Sequence, residues 1–182
     1  MNINEPQIMI DLETMSTKSN AVIISIGAVA FNSGGVFDQF YENIDIESSA
    51  RFGLDICPKT IKWWMKQSDE ARKPLTENVL DIENALIEFA LWVNSRVGEE
   101  AKIWGNGADF DNVILSSAYS ATELQQPWKY WNNMCFRTLK NQYPEIKHCH
   151  EGVKHNALAD AQSQAEHAIK IFGVMKGNSC NP

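Results

Sequence analysis

Residues 7 to 13 read QIMIDLE and residues 21 to 31 read AVIISIGAVAF. The first runs from apolar to acidic and the second is rich in β-branched side chains, which predicts two strands. Asn32-Ser33-Gly34-Gly35 then gives a turn signal, and residues 36 to 44 alternate as a returning strand does. The first third of the chain is therefore expected to be a β-meander.

Outward from this meander the periodicity changes. Pro58 stands where a helix can begin, and Ile61, Trp64 and Met65 fall at i, i+3 and i+4, predicting one buried face with Trp63 on another. Asp81 is expected to cap a helix on which Ile82, Leu86, Phe89 and Val93 recur until Gly98. Lys102-Ile103-Trp104 is a short strand candidate, followed by the turn Gly105-Asn106-Gly107 and a helix from about Asp109 to Tyr119. After a polar loop with Pro127, residues 131 to 136 read as a strand and Thr138 to Tyr143 as a brief helix stopped by Pro144. The last helix is expected from near Asn156 to about Phe172, leaving residues 173 to 182 as a loose tail. Three strands followed by alternating helices and strands predict an α/β fold with a mixed central sheet and helices on both faces. Residues 1 to 172 are expected to form one domain, with functional groups at strand ends and helix starts.

Length and composition agree: 182 residues with 44% hydrophobic content suit one domain with a real core. No stretch has the length or apolarity of a membrane span, and no basic-then-apolar leader opens the sequence, so a cytoplasmic protein is expected. Cys57, Cys135, Cys149 and Cys180 form no CxxC pair, which argues against a disulfide framework or a zinc ribbon. A net charge of −7 argues against a tight, sequence-independent embrace of long duplex DNA, which rests on many Lys and Arg contacts to phosphate. It leaves room for an enzyme that grips a chain end, because acidic groups gathered round divalent cations are neutralised when metal binds.

Asp11 and Glu13 are two residues apart at the end of an apolar strand, so the period of two puts both carboxylates on one face. Side-by-side anions call for a hard cation such as Mg²⁺, although a lone DxE is more often an exposed strand end. On the last helix Ala157, Ala161, Ala165, Ala168 and Phe172 trace a small-residue stripe, with Asp160 beside its upper end. A carboxylate there is costly unless a partner such as a metal offsets it, or unless it simply sits in the first turn and meets the helix dipole. His155, five residues earlier, can take a proton near neutral pH or be an ordinary surface histidine. Asp111, after Phe110 at a strand-to-helix junction, can supply a fourth carboxylate; Asp109 is its rival and the expected helix N-cap. His148-Cys149-His150 offers soft ligands but lacks a fourth at a recognised zinc spacing.

Together these positions form a pattern. The chain resembles the DEDDh branch of the DnaQ-like 3′-to-5′ exonucleases: DLET at 11 to 14 looks like the first motif, Asn106 to Asp111 the second, and His155 to Asp160 the third. Thr60 to Gln67 and Phe136 to Leu139 look most like the branch containing RNase AS and phage exodeoxyribonuclease A-like proteins. The resemblance implies an RNase H-like fold, two Mg²⁺ or Mn²⁺ ions on Asp11, Glu13, Asp111 and Asp160, and His155 as general base. The aromatic-Asp ending of the second motif selects Asp111 over Asp109. One departure is Cys135, where relatives often carry an acid. The implied substrate is the 3′ end of RNA or single-stranded DNA, with nucleoside 5′-monophosphates as products and a second copy of the chain as a candidate partner. Thr14, Met15 and Asn106 are candidate substrate contacts, and Trp63 with Gln67 one turn away is a candidate stacking surface, with burial of Trp63 as the alternative. A module that keeps the fold and binds ends without cutting them is the competing reading. It is disfavoured because all five catalytic positions are intact.

Overall fold

The structure, a computed structural model, describes residues 4–98, 100–107, 109–148 and 155–178. Strand β1 (Gln7–Thr14) is the axis of a six-stranded sheet. It pairs antiparallel with β2 (Ile23–Asn32), which pairs antiparallel with β3 (Gly35–Ile44). The turn between β2 and β3 is closed by Asn32, whose side-chain oxygen accepts from the Gly34 amide at 2.8 Å. After α1 (Ile46–Arg51), α2 (Pro58–Trp64) and α3 (Asp69–Arg72), the two-residue β4 (Val79–Leu80) adds parallel to β3. Beyond α4 (Ile82–Arg96), β5 (Ile103–Gly105) joins the other side of β1 in parallel. Then come α5 (Asp111–Ala121), the edge strand β6 (Asn133–Cys135), α6 (Phe136–Gln142) and α7 (Ala157–Asn178). The order is β4-β3-β2-β1-β5-β6. This is the mixed sheet that the meander and the alternation behind it predict.

Alternation along β1 sorts its side chains between two cores. Ile8, Ile10 and Leu12 face a large cluster that includes Leu86 and Phe89 of α4 and Ile114 and Leu115 of α5. Met9 faces the opposite cluster, where Ala161, Ala165, Ala168 and Phe172 of α7 cover the sheet. Asp11 and Glu13 share the face of Met9, so the same period of two that buries Met9 presents both carboxylates to α7. Small side chains let that helix lie close. At Gly27, the β2 partner of Asp11, an added Cβ would stand 2.1 Å from the Ala157 carbonyl carbon, so only glycine admits the first turn of α7 here.

Several local expectations are corrected. Of the face predicted for α2 only Trp64 is buried; Ile61 is 39% and Met65 69% exposed. A helix of seven residues whose single anchor is Trp64 docks through that ring, whose indole N–H donates to the Thr14 carbonyl at 2.9 Å. Asp81 occupies the N-cap position of α4 but its side chain makes no cap bond and lies 3.7 Å from Arg51; the Ser48 hydroxyl accepts the Ile82 amide instead. Helix α5 begins at Asp111, so Asp109 is not its cap. The final helix continues through Gly173 to Asn178, beyond the expected end at Phe172, because a glycine without a following breaker lowers helix propensity without ending the hydrogen-bond ladder. The rest of the expected tail lies outside the described residues. No helix among the described residues is long and apolar enough to cross a membrane.

Candidate active site

Carboxylate groups of Asp11, Glu13 and Asp160 converge where the end of β1 meets the first turn of α7, each offering one oxygen within 4.8 Å of the others. Three features bring them together. The strand period aligns Asp11 with Glu13, Gly27 lets α7 approach, and Asn156 starts the helix by accepting the Ala159 amide at 3.0 Å. The β1–β2 register shifts between Glu13 and Thr14, a bulge that ends regular pairing at the site.

Asp111 enters from the β5 side. It is 2% exposed, and its two oxygens accept the Leu12 amide at 3.2 Å and the Asn106 amide at 3.0 Å. Gly105 makes room for it: a Cβ there would lie 3.0 Å from that of Asp111 and 2.3 Å from the Asn112 side-chain oxygen. Asn112 is itself buried and donates to the Ile103 carbonyl at 2.8 Å, tying the start of α5 to β5.

Electrostatically the cluster is strained. Burial, then repulsion from Asp160 and Asp111, pushes Glu13 up to about 8. Asp11 is raised well above the usual carboxylate range by burial and by Asp111, Asp160 and Glu13 together, against the lowering effect of Gln164. Burial also raises Asp111, to about 6, although the backbone donors oppose it. Carboxylates whose negative charge is opposed by burial and by one another are a donor set fitted to a hard divalent cation. Asp11 is the centre of the group, since all three other carboxylates act on it.

This geometry sits in a chain of which residues 6–172 match the model of the Rv2179c-like domain, described as a 3′-5′ exoribonuclease domain. The chain belongs to that family. It is 30% identical over 156 residues to the exodeoxyribonuclease of Enterobacteria phage T4, covering 71% of this chain and 68% of that protein. The nuclease domain of 3′hExo, a DEDDh family member bound to rAMP, superposes with a TM-score of 0.66 at 13% identity, covering 93% and 92% of the two chains. Exonuclease X in complex with 5′ overhanging duplex DNA gives 0.57 at 16% identity, covering 93% of each. The RNase H-like DEDDh fold expected from the three motifs is therefore the fold of this exonuclease, and the chain is a 3′-5′ exonuclease.

The remaining predicted residues fall into place unevenly around this family's acidic centre. His155 adopts φ 62°, a left-handed conformation uncommon outside glycine. Its ring packs edge-on against Trp63 at 4.8 Å, and Trp63 packs against Trp64 at 4.9 Å, so the contacts run from Thr14 at the end of β1 through both indoles to the histidine. Trp63 is 40% exposed and thus neither core nor fully free. Gln67 donates its side-chain amide to the Trp63 carbonyl at 3.0 Å. Met15 belongs to the large core cluster, so its side chain packs inward. The Thr14 hydroxyl donates to the Ser16 carbonyl at 2.7 Å. Asn106 holds Asp111 by its amide, while its side-chain oxygen accepts from Lys140 at 3.3 Å. His148 stacks on His167 of α7 at 5.7 Å; Cys149 and His150 lie outside the described residues.

One polar group was not anticipated. Gln164, buried one turn after Asp160, donates to Asp11 at 2.7 Å and so braces the central carboxylate from the same helix face. Its signal was present as a polar residue four positions from Asp160, next to the alanine stripe. Gly27 carried a signal too, as a lone glycine within a β-branched strand, which marks close approach of another backbone.

Proposed function

We propose that this exonuclease removes nucleotides from the 3′ ends of single-stranded RNA or DNA and releases nucleoside 5′-monophosphates, using two Mg²⁺ or Mn²⁺ ions. The observation that carries the reading is the convergence of Asp11, Glu13 and Asp160, with Asp111 acting on the same central carboxylate. Glu13 and Asp160 would hold one ion, Asp111 the other, and Asp11 would be shared. When bound, the ions lower the pKa of the attacking water and offset charge on the attacked phosphate and the leaving 3′-oxygen.

The protein's own groups divide the rest of the work. Gln164 keeps the Asp11 carboxylate turned toward its neighbours, and backbone amides fix Asp111 so that no side-chain search precedes binding. His155 takes the proton of the attacking water; the Trp63 ring limits where its imidazole can point. The part of Trp63 left exposed stacks on the terminal base, with Thr14 beside it. The relatives differ in the sugar that their names carry, the family model being described as exoribonuclease and the phage relative as exodeoxyribonuclease, which supports a site that accepts either. Cys57 and Cys135 are free thiols, which suits a cytoplasmic setting.

The test is digestion of 5′-labelled single-stranded RNA and DNA with Mg²⁺ or Mn²⁺. A ladder shortening from the 3′ end, with mononucleotide product and no cleavage by Asp160→Asn, is expected. Internal cuts, cleavage in EDTA, or wild-type turnover by Asp160→Asn at saturating metal would overturn the reading, and end binding without cleavage would leave only a binding module.

A further inference from the structure

The acidic centre lies between two unlike walls. One consists of α2 and His155, where Trp63 presents a partly exposed aromatic ring flanked in sequence by the exposed Lys62 and Lys66, neither of which is tied to the carboxylates. The other is the turn after β5 together with α6, and it presents two cations. Lys140 donates to the Asn106 side-chain oxygen, and the Asn106 amide donates to Asp111, so Lys140 is two hydrogen bonds from the carboxylate. Arg137, one turn earlier on α6, lies against Gly107, with guanidinium atoms 3.8 Å from where a Cβ would stand there. Its charge is felt by Asp111 and opposes that of Lys140. Among the described residues neither cation makes an ion pair, although the chain carries 23 acidic residues against 16 Lys and Arg. Two adjacent cations that repel one another and make no ion pair among the described residues fit an anion brought from outside.

An exonuclease holds one nucleotide on one side of the bond it cuts and the whole remaining strand on the other. A base is held by an aromatic face, and a strand by cations along its phosphates. We propose that Arg137 and Lys140 bind the backbone phosphates of the strand upstream of the scissile bond, so that the 3′-terminal nucleotide occupies the Trp63 wall and the body of the substrate leaves across α6. This inference rests on the proposed 3′-end hydrolysis and adds the path of the strand. It also accounts for how an acidic protein holds a polyanion, by gripping a few phosphates beside the site.

The experiment compares a single-stranded oligonucleotide with the p-nitrophenyl ester of thymidine 5′-monophosphate, which has a scissile phosphate but no upstream strand. R137A/K140A should raise KM on the oligonucleotide tenfold or more, with a much smaller effect on the ester, so that the ratio of the two kcat/KM values collapses. The dependence of log kcat/KM on log salt should become shallower by about 0.7 for each phosphate that the variant no longer neutralises. R137K/K140R, which keeps both charges, should retain most of the oligonucleotide affinity. Equal losses on both substrates would overturn the proposal, since the pair would then act through Asp111 or the fold. A larger oligonucleotide defect in K62A/K66A, on the Trp63 wall, would reverse the strand path and also overturn it. If the wild-type protein hydrolyses neither substrate, the functional reading fails by itself, and fluorescence anisotropy of the labelled oligonucleotide with wild type and R137A/K140A still decides whether these cations bind the strand.

Discussion

Asp111 accepts backbone amides at both carboxylate oxygens, whereas Asp109 stands exposed two residues earlier and caps nothing. The two acids are thus separated by burial and bonding. Asp111→Ala should lower kcat by at least about 10², the usual worth of a preorganised charged group. Asp109→Ala should change stability by no more than about 0.5 kcal/mol, as expected of a surface position without a cap role. Steady-state kinetics and urea denaturation of both variants check the pair, and a catalytic defect confined to Asp109→Ala would show the motif to be misread. His155 has a comparably distinct environment on the Trp63 edge. His155→Ala should cost roughly 10² to 10⁴ in rate if it is the general base, with Mn²⁺ affinity in calorimetric titration little altered. Recovery of that rate with excess metal would make it a ligand instead.

At the scale of elements, the site depends on how closely α7 lies on β1 and β2. Gly27 sets this distance, because any Cβ would press on the backbone of Ala157 and Leu158, which has no rotamer to yield. Gly27→Ala should therefore destabilise the fold by at least the ~1–3 kcal/mol typical of overpacking, and it should move Asp160 away from Asp11. Calorimetric Mn²⁺ titration of the still-folded protein would show weakened binding; unchanged affinity would mean that the helix start is not what positions Asp160. The last helix was legible in outline because its alanine stripe repeats over many turns. The short α2 was not, since one buried Trp64 suffices to anchor seven residues and the apolar Ile61 and Met65 then remain outside.

For the whole molecule, the acidic centre couples folding to pH. Glu13 is held near 8 and Asp111 near 6, both above their values in an unfolded chain, so the folded state binds more protons than the unfolded state across this window. Stability from these groups is full below the unfolded values of about 4 and is lost as pH rises toward 8. The metal-free protein should accordingly melt at a lower temperature at pH 8 than at pH 6. Mg²⁺ or Mn²⁺ should raise the melting temperature more at pH 8, and Glu13→Gln should flatten the pH dependence. Scanning calorimetry in EDTA and in metal tests all three, and a melting temperature that rises from pH 6 to pH 8 in EDTA would contradict the site's electrostatics.

What the amino-acid order determined alone is the set of periodicities and the order of three short motifs. The alternation of QIMIDLE already places Asp11 and Glu13 on one face, and the alanine spacing already gives α7 a face for the sheet, because backbone geometry has fixed periods of two and 3.6. Distances across the chain followed from packing. That Asp160 meets residues about 150 positions away, that Gln164 braces Asp11, that Asp111 is bonded to Leu12, and that His155 rests on Trp63 were decided only when helices docked on the sheet. These contacts depend on close approach at Gly27 and Gly105 and on which large ring finds a pocket, properties of three-dimensional volume that no local period encodes.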